Sequence, residues 1–482
     1  MTRLSDNFFR TLAFHTAIFG LSALVRPISQ LILVRLHTNT NFLTVEEYAA
    51  WTLLQIVLNI GVVFLNMGIA TAFFRFYLLA KNKAEKRKVV GRTFRLTLTI
   101  AVTGGVILFL FADILSTLLI GSSEFGTPVR YIAIAVAGNT LTIVPLALLR
   151  AEGRMWNYLF FNVLKFFLII GLNLWFLVFK GLRLDGVTLA FLISNVVLAV
   201  IYVPFLFGGM EREAWHTGWK QVLRYGIPLI ALDMILYTLN GISQITLNLL
   251  GVKQDVAIYG FALRIAMIAQ VAVVMPFNVA FSPILFKAKK ENDDPRPLYA
   301  KTMEYIWIIS LGMCLAVTAL APELAKILGK NPLYYNAVPY VGWIAFSAAF
   351  YGIFFVFSSG ASLKDKTWAF PIILLFAGAI EVAAGFLFIP LMGIGGAAKA
   401  LLAGYIFLSL SAYAVNQVIY PINFPWKNVA FSGLIVVGLL AAASIHPNGK
   451  TLWFRLLILI IYFIVILTFA YLSKRKKIAP TG

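Results

Sequence analysis

The chain has 482 residues, 61% hydrophobic and only 12% charged, where an ordinary soluble domain carries about 25% charge. A mean hydropathy of +0.89 leaves no room for a soluble catalytic module and marks a chain built for lipid. Its net charge of +21 would suit nucleic acid, but the 40 Lys and Arg residues are placed by membrane side, which excludes that reading.

Apolar runs long enough to cross a bilayer, about 20 residues each, fall at 9–36, 48–78, 94–120, 129–149, 158–179, 187–207, 225–247, 256–286, 302–321, 337–359, 368–391, 396–419, 429–445 and 453–473. The chain is therefore predicted to be an all-α polytopic membrane protein with about 14 transmembrane helices. Short polar stretches separate the runs, and none shows the alternation of a β-barrel strand.

The first run has spanning length and no small-residue cleavage site after it, so it reads as a retained helix rather than a signal peptide. It carries His15, which reads as a satisfied helix histidine, and Arg26, flanked by apolar residues. Pro27 follows, removes a backbone donor and favours a kink. Further along come the basic run KNKAEKRKVVGR (81–92), then Lys165 in the middle of 158–179, Asp233 in 225–247 and Arg264 in 256–286. Cys314 is the single cysteine, so no internal disulfide can form. Glu381 sits in the middle of 368–391, GIGGAA (393–398) reads as a tight turn with close helix packing, and SKRKK (473–477) ends the last run.

Three cations, Arg26, Lys165 and Arg264, thus lie within spans, where an arginine costs about 2.5–3.5 kcal/mol on insertion scales. Each needs a partner or a wet cavity. For Arg26 the structural alternative is an ion pair with Asp233, for Arg264 snorkelling to the outer surface, and for Lys165 a partner inside its own bundle. Asp233 and Glu381 could carry a coupling ion, proton or sodium, or be held in salt bridges to Arg26 or Lys165. No other cofactor is expected, since no phosphate-binding glycine loop or metal-ligand cluster is present.

Sliding the chain against itself brings FFRFYLLAKNK (73–83) over FSPILFKAKKE (281–291) and FADILSTLLIG (111–121) over LAPELAKILGK (320–330). PVRYIAIAV (128–136) falls on VPYVGWIAF (338–346), and DGVTLAF (185–191) on GGAAKAL (395–401). The offset stays between 208 and 210. A constant offset predicts a six-helix lobe over 1–210, a second over 211–420, and two appended helices with a basic tail over 421–482. With an even number of helices per lobe, the two would be related by a pseudo-twofold along the membrane normal.

Several stretches, taken in order, carry a family resemblance: RLHTNTNFLTVEEYAAW (35–51), NMGIATAFFRFY (66–77), LRAEGR (149–154), VLRYGIPLI (222–230), VAIYGFALRI (256–265), FSPILF (281–286), LAPEL (320–324), IPLMGIGGAA (389–398) and YPINFPW (420–426). With them the chain resembles the polysaccharide transporter branch of the MOP superfamily, the Wzx-type lipid-linked oligosaccharide flippases. It departs from the pattern at Ser243-Gln244, where many relatives carry an Asp-Arg pair, and at Lys399.

The resemblance implies a transporter, not an enzyme, that moves an undecaprenyl-diphosphate-linked oligosaccharide from the inner to the outer leaflet by alternating access, for surface polysaccharide biosynthesis such as O-antigen. It implies a bacterial inner membrane location, contact with membrane lipids, and a polysaccharide polymerase and chain-length regulator as partners. In this frame Arg26 and Arg264, with Lys165, are the candidate grip on the diphosphate, because a guanidinium fork holds two phosphate oxygens and keeps its charge. Arg75 matches less well, being near the inner mouth. A lipid II flippase is the nearest alternative. A multidrug and toxin extruder of the same superfamily would call for an acidic first helix, and a membrane-embedded glycosyltransferase or polymerase for a large outer loop.

If both termini are cytoplasmic, the inner segments hold 27 of the 40 cations and the outer ones ten. Cysteine at Lys83, Lys289 or Lys476 should then resist an impermeant thiol reagent in intact cells, and cysteine at Lys253 or Lys450 should react. The reverse labelling would invert the orientation.

Overall fold

The computed structural model describes residues 27–207, 218–227, 230–251, 253–278, 281, 294–364, 366, 368–445 and 451–478. Among them there is no β-strand, and ten helices are long and apolar enough to cross a bilayer. They run Val45–Leu79, Lys83–Leu110, Ser123–Ala151, Met155–Phe179, Arg183–Tyr202, Lys253–Asn278, Arg296–Leu328, Pro332–Leu363, Ala369–Met392 and Ile394–Ile419. The helices Ile230–Leu250, Trp426–Ile445 and Leu452–Ile478 fall on the remaining apolar runs, and 27–37 is the described part of the first. Packing divides the chain into two units, Met1–Gly260 with Phe370–Ala397, and Phe261–Ala369 with Ala398–Gly482. The repeat boundaries at 210 and 420 divide the sequence; these units divide the packing.

In the first unit, helix starts are set by side chains that replace the missing backbone partners of a first turn. Thr44 caps Val45–Asn66 in a reciprocal box: its Oγ1 accepts from Glu47 N at 3.1 Å, and its N donates to Glu47 Oε2 at 2.7 Å. Such a box contributes about 1 kcal/mol. Glu47 also takes a two-pronged grip from Arg183, at 2.8 and 2.9 Å, and Glu46 pairs with Lys253. The starts of three helices are thereby clipped together.

The apolar run 48–78, expected as one helix, is two. Met67 and Gly68 both adopt left-handed backbone, at φ 45° and 64°. A Cβ on Gly68 would stand 2.2 Å from the carbonyl oxygen of Gly226, so the break exists where the short helix Trp219–Gly226 crosses. Hydropathy sees no such break, because both sides of it are equally apolar. Beneath it, Ile69, Phe73, Phe94, Val144 and Val222 form a buried cluster. Some polar side chains in the apolar interior pair across helices: His37 Nε2 lies 3.0 Å from Asn173 Oδ1, and Asn139 donates to Asn195 at 3.1 Å.

In the second unit, Arg296–Leu328 is the long helix to which the last two helices are fastened. Trp307 Nε1 donates to Val429 O at 3.1 Å, Asn428 to Glu304 at 2.7 Å, and Tyr462 to Ile308 O at 2.8 Å. Arg455 spreads its guanidinium over both oxygens of Glu323, at 2.9 and 2.7 Å, and over Ala319 O. The YPINFPW stretch closes one end: Phe357 meets Phe424, and Tyr413 meets Trp426, edge to face, while Asn416 and Gln417 satisfy the backbone of Gly360, Tyr420 and Ile422.

Two stretches, one in each unit, share an order of elements. Ala112–Ile120 is followed by Gly121, a 3-10 turn capped by Ser122, and the helix from Gly126. Arg296–Leu328 is followed by Gly329, a 3-10 turn capped by Asn331, and the helix from Val338.

Arg455→Leu leaves Glu323 with a poorly compensated charge and should lower unfolding stability in detergent by about 1–3 kcal/mol. Adding Glu323→Leu should recover most of the loss. A double variant no better than the single would show that the pair does not hold the last helix in place.

Candidate functional site

Of the five residues singled out in the sequence, Arg26 lies outside the described residues, as does His15. Asp233 is in Ile230–Leu250, but its side chain also lies outside them. Lys165, on Met155–Leu174, and Arg264, on Lys253–Ala269, are partly buried and engage neighbouring groups. Glu381, on Ala369–Met392, is buried and has described hydrogen-bond partners.

Its place is made by close helix approach in the first unit. A Cβ on Gly241 would stand 2.9 Å from Ile56, and one on Gly385 3.0 Å from Thr246 Cγ2. Small residues at these positions bring Ile230–Leu250 against both Val45–Asn66 and Ala369–Met392, as expected where packing rather than water drives helix association. Into this contact Ala369–Met392 projects Glu381, only 1% exposed.

Its Oε1 accepts two hydrogen bonds from Ser243, from the backbone N at 3.1 Å and from Oγ at 2.5 Å. Among the described residues its Oε2 has no hydrogen-bond partner, and the fully buried Tyr259 lies beside the pair. Gln244 and Gln55 add further buried amides to these helices, with Gln55 Oε1 also unpartnered.

Among the described residues Glu381 makes no ion pair, so the structural alternative of a salt bridge to Lys165 is not seen. Its described partner is Ser243, and the bridge to Arg26 falls outside the described residues. Ser243 appeared in the sequence only as a departure from a family pattern, and Tyr259 only as part of a motif. Their spacing to Glu381, 138 residues for Ser243, leaves no local signal. Arg95 was passed over as well: it stands at the edge of an apolar run, yet in Lys83–Leu110 it is buried. Arg75 is exposed and stacks its guanidinium 4.5 Å above the Tyr225 ring.

An acid in such a place is able to accept a proton or share a small cation with the hydroxyls beside it. Burying an ionised carboxylate without a counter-charge costs many kcal/mol, so its charge state and the packing of the surrounding helices are linked. No group of three or more His, Cys, Asp or Glu side chains that would hold a metal ion occurs among the described residues.

Residues 40–333 match a family model described as polysaccharide biosynthesis protein. No curated protein matches by sequence. Among solved structures, the chain is similar to the lipid II flippase MurJ in an inward closed conformation, with a TM-score of 0.77 at 13% identity over 95% of this chain and 99% of that one. It is also similar to an inward-facing multidrug resistance MATE family transporter of the MOP superfamily, at 0.64 and 18% over 82% and 94% of the two chains. A variant of the Vibrio cholerae MATE transporter VcmN gives 0.64 at 17%, over 86% and 97%. At these identities the likenesses concern the fold.

Ser243→Ala should destabilise the chain by about 1–3 kcal/mol by stripping the buried carboxyl of its side-chain partner. In combination with Glu381→Leu the two effects should not add, leaving a coupling of about 0.5–3 kcal/mol in the double-variant cycle. Strictly additive unfolding data would show that the two residues do not act on each other.

Proposed function

Because the chain belongs to the polysaccharide biosynthesis protein family, within the MOP superfamily of transporters, we propose that it flips an undecaprenyl-diphosphate-linked oligosaccharide from the inner to the outer leaflet by alternating access. The observation that carries this reading is the family match over residues 40–333. The fold shared with a lipid II flippase over 95% of the chain is compatible with such a cargo. That same likeness favours lipid II itself as the second reading.

A diphosphate drawn through a lipid-lined space needs a permanent cation, and an arginine fork supplies one with two donors at a fixed spacing. Arg264 is the described candidate. It is partly buried within a candidate membrane span, where an arginine is costly to place and a functional role is the default reading. Arg26 and Lys165 are proposed for the same cargo. Glu381, with Asp233 on the helix that also carries Ser243, is proposed as the acid through which a proton or sodium gradient drives the cycle. The cell would then be bacterial, the membrane its plasma membrane, and a polymerase and chain-length regulator would receive the product.

Arg264→Ala should abolish or cripple export of the lipid-linked sugar when normalised to inserted protein, a loss corresponding to about 1.5–3 kcal/mol of charge-assisted hydrogen bonding. Arg264→Lys should rescue only in part. Glu381→Gln, which keeps the shape and the acceptor oxygen for Ser243, should insert and fold but slow turnover and flatten its dependence on pH. Parental export by Arg264→Ala would remove that residue from the grip. Parental turnover and pH profile in Glu381→Gln would remove the acid from coupling.

A further inference from the structure

The inner turns of the first unit hold a cavity of about 670 Å³ that plays no part in the cargo reading. Lys83, Lys86 and Arg87 line it from the first turns of Lys83–Leu110, followed on the same side by Val90. That spacing of three, one and three residues is one face of a helix. The opposite side of those turns presents Glu85, Lys88 and Arg92 to a separate, smaller cavity, and the Glu85 carboxylate there accepts from Lys81 N at 2.7 Å. The acid of these turns lies on the second face, which leaves the first with cations alone. A run that served only to orient the chain in the membrane would need no such sorting, since the positive-inside rule counts charges and not faces.

The one acid among the residues lining the larger cavity is Glu152, and both its oxygens are engaged. Oε1 accepts from the Tyr77 hydroxyl at 3.0 Å, and Oε2 pairs with Arg154 Nε at 2.8 Å. Lys86 holds its ammonium 5.0 Å above the Tyr77 ring, a contact that leaves its charge in place. The ion pairs among the described residues do not include Lys83 or Arg87. Among the described residues, three like charges thus crowd a hollow whose one acid is already engaged elsewhere. The wall behind them is apolar, built by Leu148, Leu149 and the buried Tyr202. A basic rim on an apolar wall, at the end of a membrane span, matches the phosphate and first acyl carbons of a lipid, whereas a free phosphate would leave the wall bare.

We propose that this cavity binds the phosphate headgroup of an anionic phospholipid of the surrounding membrane. The site is independent of which cargo is carried and requires only that the chain spans a bilayer.

Native mass spectrometry of the purified full chain in detergent, titrated with phosphatidylglycerol, phosphatidylcholine or inorganic phosphate, tests it. Phosphatidylglycerol should bind in preference to phosphatidylcholine and resist displacement by inorganic phosphate. Lys83→Gln with Lys86→Gln and Arg87→Gln should weaken it by roughly fivefold per cation removed. Lys81→Gln with Lys88→Gln, in the same run but off this cavity, should cost distinctly less per charge. Leu148→Trp, which fills the apolar wall and keeps every charge, should remove the preference for lipid while unfolding at the parental temperature. Equal losses per charge on and off the cavity would overturn the proposal in favour of diffuse surface charge. Displacement of the lipid by inorganic phosphate, or a Leu148→Trp chain that binds lipid as before, would overturn the lipid as occupant.

Discussion

Inside a bilayer no solvent offers a hydrogen bond, so every polar group placed at depth has to find its partner within the protein. Most of this fold can be traced to that demand. The asparagines of the first unit pair across helices, and His37 is matched to Asn173. Arg455 is answered by both oxygens of Glu323 and a backbone carbonyl, which fixes where the last helix lies. Glycines let helices approach closely enough for short side chains such as Ser243 to reach across.

Glu381 meets the demand only by half. One carboxyl oxygen takes two donors from Ser243, and the other, buried, takes none among the described residues. A group left so nearly satisfied responds strongly to a proton or a small cation, because either changes what the unpartnered oxygen costs. Placing it where three helices meet through glycines and small side chains lets that change be felt as packing. In a transporter, this is a physical means by which an ion gradient and a conformational cycle are joined.

The spans were legible in the sequence because hydropathy is a local property, summed over about 20 residues and indifferent to what packs where. The described helices follow the apolar runs closely. Their caps were legible too, in the Thr44 to Glu47 spacing, although periodicity alone began that helix three residues late. The break at Met67 and Gly68 was not, since it is imposed by Gly226, more than 150 residues further on. The candidate site divides in the same way. Glu381 stands out as a charge in an apolar run, but its partner is a serine indistinguishable from any other. The buried Arg95 was hidden by its position at the margin of a run, where cations are ordinary. The sorting of Lys83, Lys86 and Arg87 from Glu85 was present in the helical spacing, but only the cavity gives that spacing a meaning.

Movement of the lipid itself is the most direct measure of the central claim. The purified chain in liposomes should speed the transfer of an undecaprenyl-diphosphate-linked oligosaccharide between leaflets, read by a sugar-modifying reagent that cannot cross the bilayer. The account predicts transfer without ATP, dependent on Arg264 and responsive to an imposed ion gradient. Liposomes in which the chain exchanges organic cations but leaves the lipid-linked sugar at the rate of protein-free vesicles would contradict it.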